Sequence, residues 1–286
     1  TISIPINVHY PPREERVSHF RPTADFARIS VLNTLLTFLT FVYAIPRKIL
    51  RVVATAVVVA LLFVLMFFGQ IAMLVYFLSH RVSEAERLRF HGLIQRIARL
   101  LLRLLPGVRI RFDNPHGEDF NKPSIIISNH QSHLDLLCIL ALTPRMVIVT
   151  KRWVWYNPLY AVAIRLAEFL PVTRNIEDNQ ERIAKLVNRG YSVMLFPEGT
   201  RSASLKVQRF HQGAFYLAQR FGLDIVPVLL YGTGHVLNKR ARTLSSGDIV
   251  VTILRRTPLA QFGEEVTPRE LAKHFRHMYE KELEAN

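Results

Sequence analysis

Residues 52–78, VVATAVVVALLFVLMFFGQIAMLVYFL, hold 27 positions without a charge or a histidine. At ~1.5 Å per residue this run makes a helix on the order of 40 Å long, enough to cross a bilayer with tilt. Basic residues flank it, with Arg47, Lys48 and Arg51 before and Arg81 after. It is too long, and too far from residue 1, for a signal peptide. The expectation is a membrane segment. A second uncharged stretch, 29–45, is shorter, and Asn33, Thr34, Thr37 and Thr40 give it one polar face. It reads as a helix packed against the first or lying in the interface, ended by Pro46. Residues 1–28, with Pro11 and Pro12, read as an extended arm.

Residues 84–105 have helical periodicity with two faces. Arg89, Arg96, Arg99 and Arg103 fall on one side, and Leu93, Ile94, Ile97, Leu101, Leu104 and Leu105 on the other. A basic, leucine-rich helix directly after an apolar segment suits an anionic lipid surface. Composition agrees. Half of the 286 residues are hydrophobic and the net charge is +15. A phospholipid surface matches both terms, whereas nucleic acid matches only the charge, so no nucleic-acid partner is expected. The one cysteine, Cys138, excludes an internal disulfide framework and any multi-cysteine metal site.

From residue 106 onward, short β-branched runs alternate with helical periods, the α/β pattern. Strands are expected at 108–112, 124–128, 146–149, 192–196, 225–230 and 249–254. Helices are expected at 134–142, 158–167, 178–189, 210–221 and 268–283. The last opens on Thr267-Pro268-Arg269-Glu270, a capping box with proline in the first helical position. The fold class expected is α/β, a mixed sheet flanked by helices. The division is an arm at 1–28, membrane-associated helices at 29–105 and an α/β domain at 106–286.

Two loops put ionisable residues directly after buried-looking strands, where open α/β sheets bind ligands. The first is Asn129-His130-Gln131-Ser132-His133-Leu134-Asp135. His130 is suited to general-base work, since an imidazole takes a proton near neutral pH. Asp135 suits the part of the carboxylate that fixes the imidazole tautomer. The same spacing also reads as a capping box from Ser132 to Asp135, which gives Asp135 a structural task. The second loop is Phe196-Pro197-Glu198-Gly199-Thr200-Arg201-Ser202. Its Pro-Glu-Gly turns tightly, and Arg201 offers a planar fork for phosphate. Glu198 either accepts a hydrogen bond from substrate or fixes Arg201.

Together these residues resemble the glycerolipid acyltransferase family, and within it the lysophosphatidic acid acyltransferases. Asn129-His130 followed by Asp135, and the unbroken 196–202 run, match that family's first and third motifs. Pro171-Val172-Thr173-Arg174 matches the end of its second, and Ile225-Val226-Pro227-Val228 its fourth. The resemblance implies His130 as the base that deprotonates an acceptor hydroxyl and Asp135 as its orienter. It implies Arg174, Glu198, Gly199, Thr200 and Arg201 around a glycerol phosphate. It implies an acyl-CoA or acyl-carrier protein donor, a lysophospholipid acceptor, membrane phospholipid as a partner, no metal and no further cofactor. A cytosolic thioester places the catalytic domain on the cytoplasmic face, in keeping with the arginines at 81–103.

Two departures bear on the acceptor. Glu168 stands near where the second motif has glycine, bringing a carboxylate toward that site and pointing to a different lysolipid, such as an amino-acid-based one. Phe210-His211-Gln212-Gly213 lacks the lysine that the family places after phenylalanine. His211, His235 and the Lys239, Arg240, Arg242 cluster read as surface residues. Trp153, Trp155 and Tyr156 after Lys151-Arg152 suit a headgroup region or the core.

Overall fold

The computed structural model describes residues 22–44, 53, 64, 67–76, 78–157, 161–172, 176–241, 243–263 and 265–284. The chain divides into two units, Thr1–Leu65 and Met66–Asn286. In the first, helix α1 (Pro22–Leu39) runs into a π turn at Thr40–Ala44. The helix begins at Pro22, so residues 22–28, expected as the end of an extended arm, are helical; residues 1–21 lie outside the described set. The cause is local. Proline with its preset φ starts the helix, and Asp25 sits in the first turn against the helix dipole. Thr34 and Thr40 turn their hydroxyls back onto Ser30 and Leu36 carbonyls, at 2.8 and 2.7 Å, so these two members of the polar face are satisfied locally. Thr23–Val42, at mean hydropathy 1.3 and with none of it buried, is long and apolar enough to cross a membrane by length and composition.

In the second unit, helix α2 (Phe67–Tyr76) is the described part of the expected 52–78 membrane segment, together with isolated positions; the rest of that segment lies outside the described residues. Its polar Gln70 is buried, and its side-chain oxygen accepts from the N–H groups of Val162 and Ala163 at 3.0 and 3.2 Å. These bonds tie α2 to the start of a later helix. Helix α3 (Glu84–Arg103) starts on a capping box, Ser83 with Glu86. It faces its own domain with His91, Ala98 and Leu102. Gln95 and Arg99 reach across to the carbonyls of Ala141 and Leu142. The apolar ridge of Leu93, Ile97, Leu100, Leu101 and Leu104 points outward.

The sheet has seven strands: β1 (Val108–Asp113), β2 (Ile125–Ser128), β3 (Met146–Thr150), β4 (Leu170–Pro171), β5 (Ser192–Leu195), β6 (Ile225–Tyr231) and β7 (Gly247–Ile253). Their order is β1-β7-β6-β2-β5-β3-β4. Every pairing is parallel except β6 with β7, so the sheet is mixed as expected. The six expected strands are all present; β4, two residues long, gives no periodic signal. Helices α4 (Leu134–Leu140), α5 (Arg152–Tyr156), α6 (Ala161–Leu166), α7 (Gln180–Asn188), α8 (Gly213–Phe221), α9 (Thr233–Val236) and α10 (Pro268–Glu284) complete the unit.

Strand β2 lies between β6 and β5, and all four of its residues are buried. Such burial on both faces is the usual setting of a central parallel strand. Tyr279 of α10 enters the β2–β6 ladder beside Pro227. Its phenolic oxygen accepts from Val228 N–H at 3.0 Å and donates to Ile127 C=O at 2.8 Å. The phenol is fully buried, and burial holds its pKa well above the usual tyrosine range.

Candidate active site

The carboxyl ends of β2 and β5 release the two loops side by side. Asn129 extends the ladder past the end of β2: its side-chain amide donates to Leu230 C=O and its side-chain oxygen accepts from Leu230 N–H, both at 2.8 Å. That fixes where the next residue starts. His130 is then held at both ends of its own backbone by the second loop. Its N–H donates to Glu198 Oε1 and its C=O accepts from Ser202 N–H, each at 2.8 Å. The imidazole stacks on Phe196, with ring centroids 4.1 Å apart and planes 17° from parallel.

His130 Nδ1 lies 2.8 Å from Asp135 Oδ2. The same carboxylate oxygen accepts the N–H groups of Gln131 and Ser132, at 2.6 and 2.7 Å. Asp135 therefore binds the loop ahead of α4 and holds the imidazole; the N-cap of α4 is His133, which makes no side-chain capping bond, so the expected capping box is only half formed. Asp135 is wholly buried, while the His130 side chain is 20 % exposed. An ionised carboxylate only accepts hydrogen bonds, so Nδ1 carries the proton and Nε2 presents a free lone pair.

Glu198, expected to meet substrate or Arg201, is turned inward instead. Its two oxygens accept from His130 N–H and from Gln208 N–H, at 2.8 and 3.1 Å. With both oxygens occupied in this way, Glu198 staples the two loops to the chain at 208. Burial pushes its carboxyl up to about 7, and the two N–H donors oppose that rise. A folded-state value above the ordinary one means that stability from this group is full at low pH and declines as pH rises through about 7. The urea midpoint is therefore expected to fall from about pH 5 to about pH 8, more steeply in the natural protein than in Glu198→Gln. Equal slopes in the two proteins would refute this.

Gly199 sits at φ +66°, and a Cβ there would come 3.2 Å from the ring of His211. Left-handed backbone and close contact each favour glycine. Thr200 is exposed and Arg201 half-buried. The Arg201 carbonyl accepts from Lys239 Nζ at 3.0 Å. The His133 imidazole is held below its usual value, first by burial and then by the nearby charges of Arg201 and His130. Arg174 lies outside the described residues, as do Thr173 and Arg242.

Glu168 is accounted for elsewhere. At φ +52°, it places its carboxylate 2.6 Å from Arg189 and 3.8 Å from Arg87. Arg189 in turn bonds Glu84, which also accepts from the Tyr191 hydroxyl. These contacts knit α3 to the 167–191 region. Trp155 donates to Phe169 C=O at 3.1 Å and lies under Arg165, while Trp153 and Tyr156 are exposed. Sequence reasoning missed Tyr279 and Gln70, whose partners lie 51 or more positions away, and Gln208, whose partner Glu198 lies ten positions away. No local signal marks such contacts, apart from the isolation of Gln70 in an apolar run.

A family model described as Acyltransferase matches residues 108–231, which include both loops. The chain is 34 % identical to a chloroplastic 1-acyl-sn-glycerol-3-phosphate acyltransferase of Brassica napus over 46 % of its own length, and spans 40 % of that relative. It is 30 % identical to the 1-acyl-sn-glycerol-3-phosphate acyltransferase of Escherichia coli, over 63 % of this chain and 76 % of that one. The crystal structure of a 1-acyl-sn-glycerophosphate acyltransferase from Thermotoga maritima shares the fold at a TM-score of 0.59 and 22 % identity. That match covers 79 % of this chain and 96 % of the other. With 30 % identity maintained over three quarters of the bacterial relative, this chain belongs to the acyltransferase family, in the company of the 1-acyl-sn-glycerol-3-phosphate acyltransferases.

Proposed function

We propose that the protein is membrane-bound and moves a fatty acyl group from an acyl thioester to the free hydroxyl of 1-acyl-glycerol-3-phosphate, giving phosphatidic acid. The observation that carries this reading is the His130–Asp135 pair clamped between the two loops beside Arg201. His130 Nε2 takes the proton of the acceptor hydroxyl as that oxygen attacks the thioester carbonyl. The resulting oxyanion collapses, the carbon–sulfur bond breaks, and the imidazolium returns its proton to the departing thiolate. Asp135 stabilises the imidazolium in between. A thioester is already activated, so a base and correct positioning supply most of what the chemistry needs.

Arg201, with Thr200 and Arg174, holds the acceptor phosphate. Glu198 and Gly199 act on the loop itself, the first by fixing His130 and the second by allowing the turn. Membrane attachment draws on the outward ridge of α3 and the exposed apolar positions of α2, such as Phe67, Phe68 and Val75. Because such donors are cytosolic, the catalytic domain faces the cytoplasm.

The test is thiol release from oleoyl-CoA by the detergent-purified protein, run without acceptor, with 1-acyl-glycerol-3-phosphate, and with other lysolipids. Release that requires 1-acyl-glycerol-3-phosphate is expected. Release with another lysolipid alone would overturn the acceptor, and no release with any acceptor would overturn the reaction.

A further inference from the structure

Four cationic side chains gather at one concave place outside the catalytic corner. Arg209, His211 and Gly213 face Arg269, Lys273 and Arg276 of α10 across a cleft of about 590 Å³, well inside the range of small-molecule sites. Buried Phe210 and Ala272 form its apolar lining. Arg276 shares its charge with Glu280 at 2.7 Å. Arg209, Arg269 and Lys273 have no ion-pair partner among the described residues. Like charges around one cleft repel, and an anion placed among them relieves the repulsion. Gln212 and Gly213 also bring the start of α8, a nine-residue helix, to the same space, where unpaired N–H groups favour negative charge.

The cleft shares a wall with the catalytic corner. Gln208 N–H is bonded to Glu198. His211 N–H donates to Pro197 C=O at 2.8 Å, and its ring lies against Gly199. The segment 208–211 therefore supports the loop that holds His130 on one side and lines the cleft on the other. An anion bound there would sit one layer of residues from the reacting atoms.

We propose that this cleft holds the phosphates of the acyl donor's carrier, a nucleotide bearing two or more phosphate groups, while the thioester end reaches His130. The proposal rests on the acyl-transfer reading above and names the donor class that goes with it. A cleft of this size, with cations on facing walls, encloses a nucleotide phosphate chain.

The experiment compares the natural protein with Arg269→Glu and Lys273→Gln. Both positions are exposed, and an acidic residue in the first turn of α10 suits the helix dipole, so folding is preserved. Binding of unacylated coenzyme A is followed by calorimetry, and transfer is followed from oleoyl-CoA and from oleoyl-pantetheine, which lacks the nucleotide. The affinity for coenzyme A is expected to drop on the order of tenfold or more in each variant, as for a lost hydrogen bond between charged groups. The KM for oleoyl-CoA is expected to rise in step with kcat held, and the oleoyl-pantetheine kinetics to stay as in the natural protein.

Undiminished coenzyme A binding in both variants, or an equal loss with both donors, would overturn the site. So would loss of binding to phosphatidylglycerol vesicles with coenzyme A affinity intact, which would assign the cleft to a lipid headgroup. A defect confined to an acyl-carrier-protein donor would assign it to a protein. If the natural protein transfers from neither donor to any lysolipid, the acyl-transfer reading fails, and the calorimetry still decides the cleft.

Discussion

His130→Ala is expected to lower acyl transfer by roughly 10²- to 10⁴-fold, the usual share of a positioned general base, while the protein still sediments with vesicles. The loops do not depend on this side chain for their position. Glu198 and Ser202 bond the backbone N–H and C=O of residue 130, and alanine keeps both. What alanine removes is the ring stacked on Phe196 and the one nitrogen that faces outward. Single-turnover rates with oleoyl-CoA and 1-acyl-glycerol-3-phosphate measure the effect, and a rate equal to that of the natural protein would remove His130 from the chemistry. Residual transfer above the uncatalysed rate fits the picture, since positioning of the two substrates survives the substitution.

The second large effect is expected at Asp135, where two substitutions separate its two tasks. In Asp135→Asn, the side-chain oxygen still accepts from Gln131, Ser132 and His130, so the loop ahead of α4 is kept, with the amide NH2 placed where Oδ1 is buried without a partner. What disappears is the negative charge that stabilises the imidazolium, and kcat is expected to fall about 10²-fold or more with little change in KM. Asp135→Ala removes the acceptor as well. Two buried N–H groups then lose their partner, at roughly 1–3 kcal/mol each, and the melting temperature is expected to drop together with the rate. The decisive comparison is the melting temperature of the two variants. If asparagine destabilises as much as alanine, the buried charge itself holds the loop, and the division of tasks is wrong.

The two loops that meet at His130 were largely readable from the chain, because each follows a buried strand and is polar where its neighbours are not. His130 and Asp135 are five positions apart and meet within one loop, so their pairing needs no knowledge of the rest of the fold. Glu198 shows the opposite case. Its partners, the N–H groups of residues 130 and 208, belong to different segments, and nothing in Pro-Glu-Gly says that the carboxylate turns inward. Glu168 likewise looks like a substrate contact only until Arg189 and Arg87 are brought beside it. The start of α1 differs from expectation for a more local reason: Pro22 falls inside the stretch expected as an arm, yet a proline in the first helical position starts a helix. The cleft joins residues 209–213 to 269–276, and periodicity does not disclose the approach of segments so far apart.

Tyr279 also sets an order of assembly. All of the loop residues have been synthesised by position 202, and the strands on either side of β2 by position 231. The phenol that bridges Ile127 and Val228 belongs to a helix that begins only at Pro268. A nascent chain halted before that point carries the described side chains of the catalytic corner, yet it has a gap in the ladder directly beneath them. Maturation of the site on the ribosome therefore waits for its most distant tether.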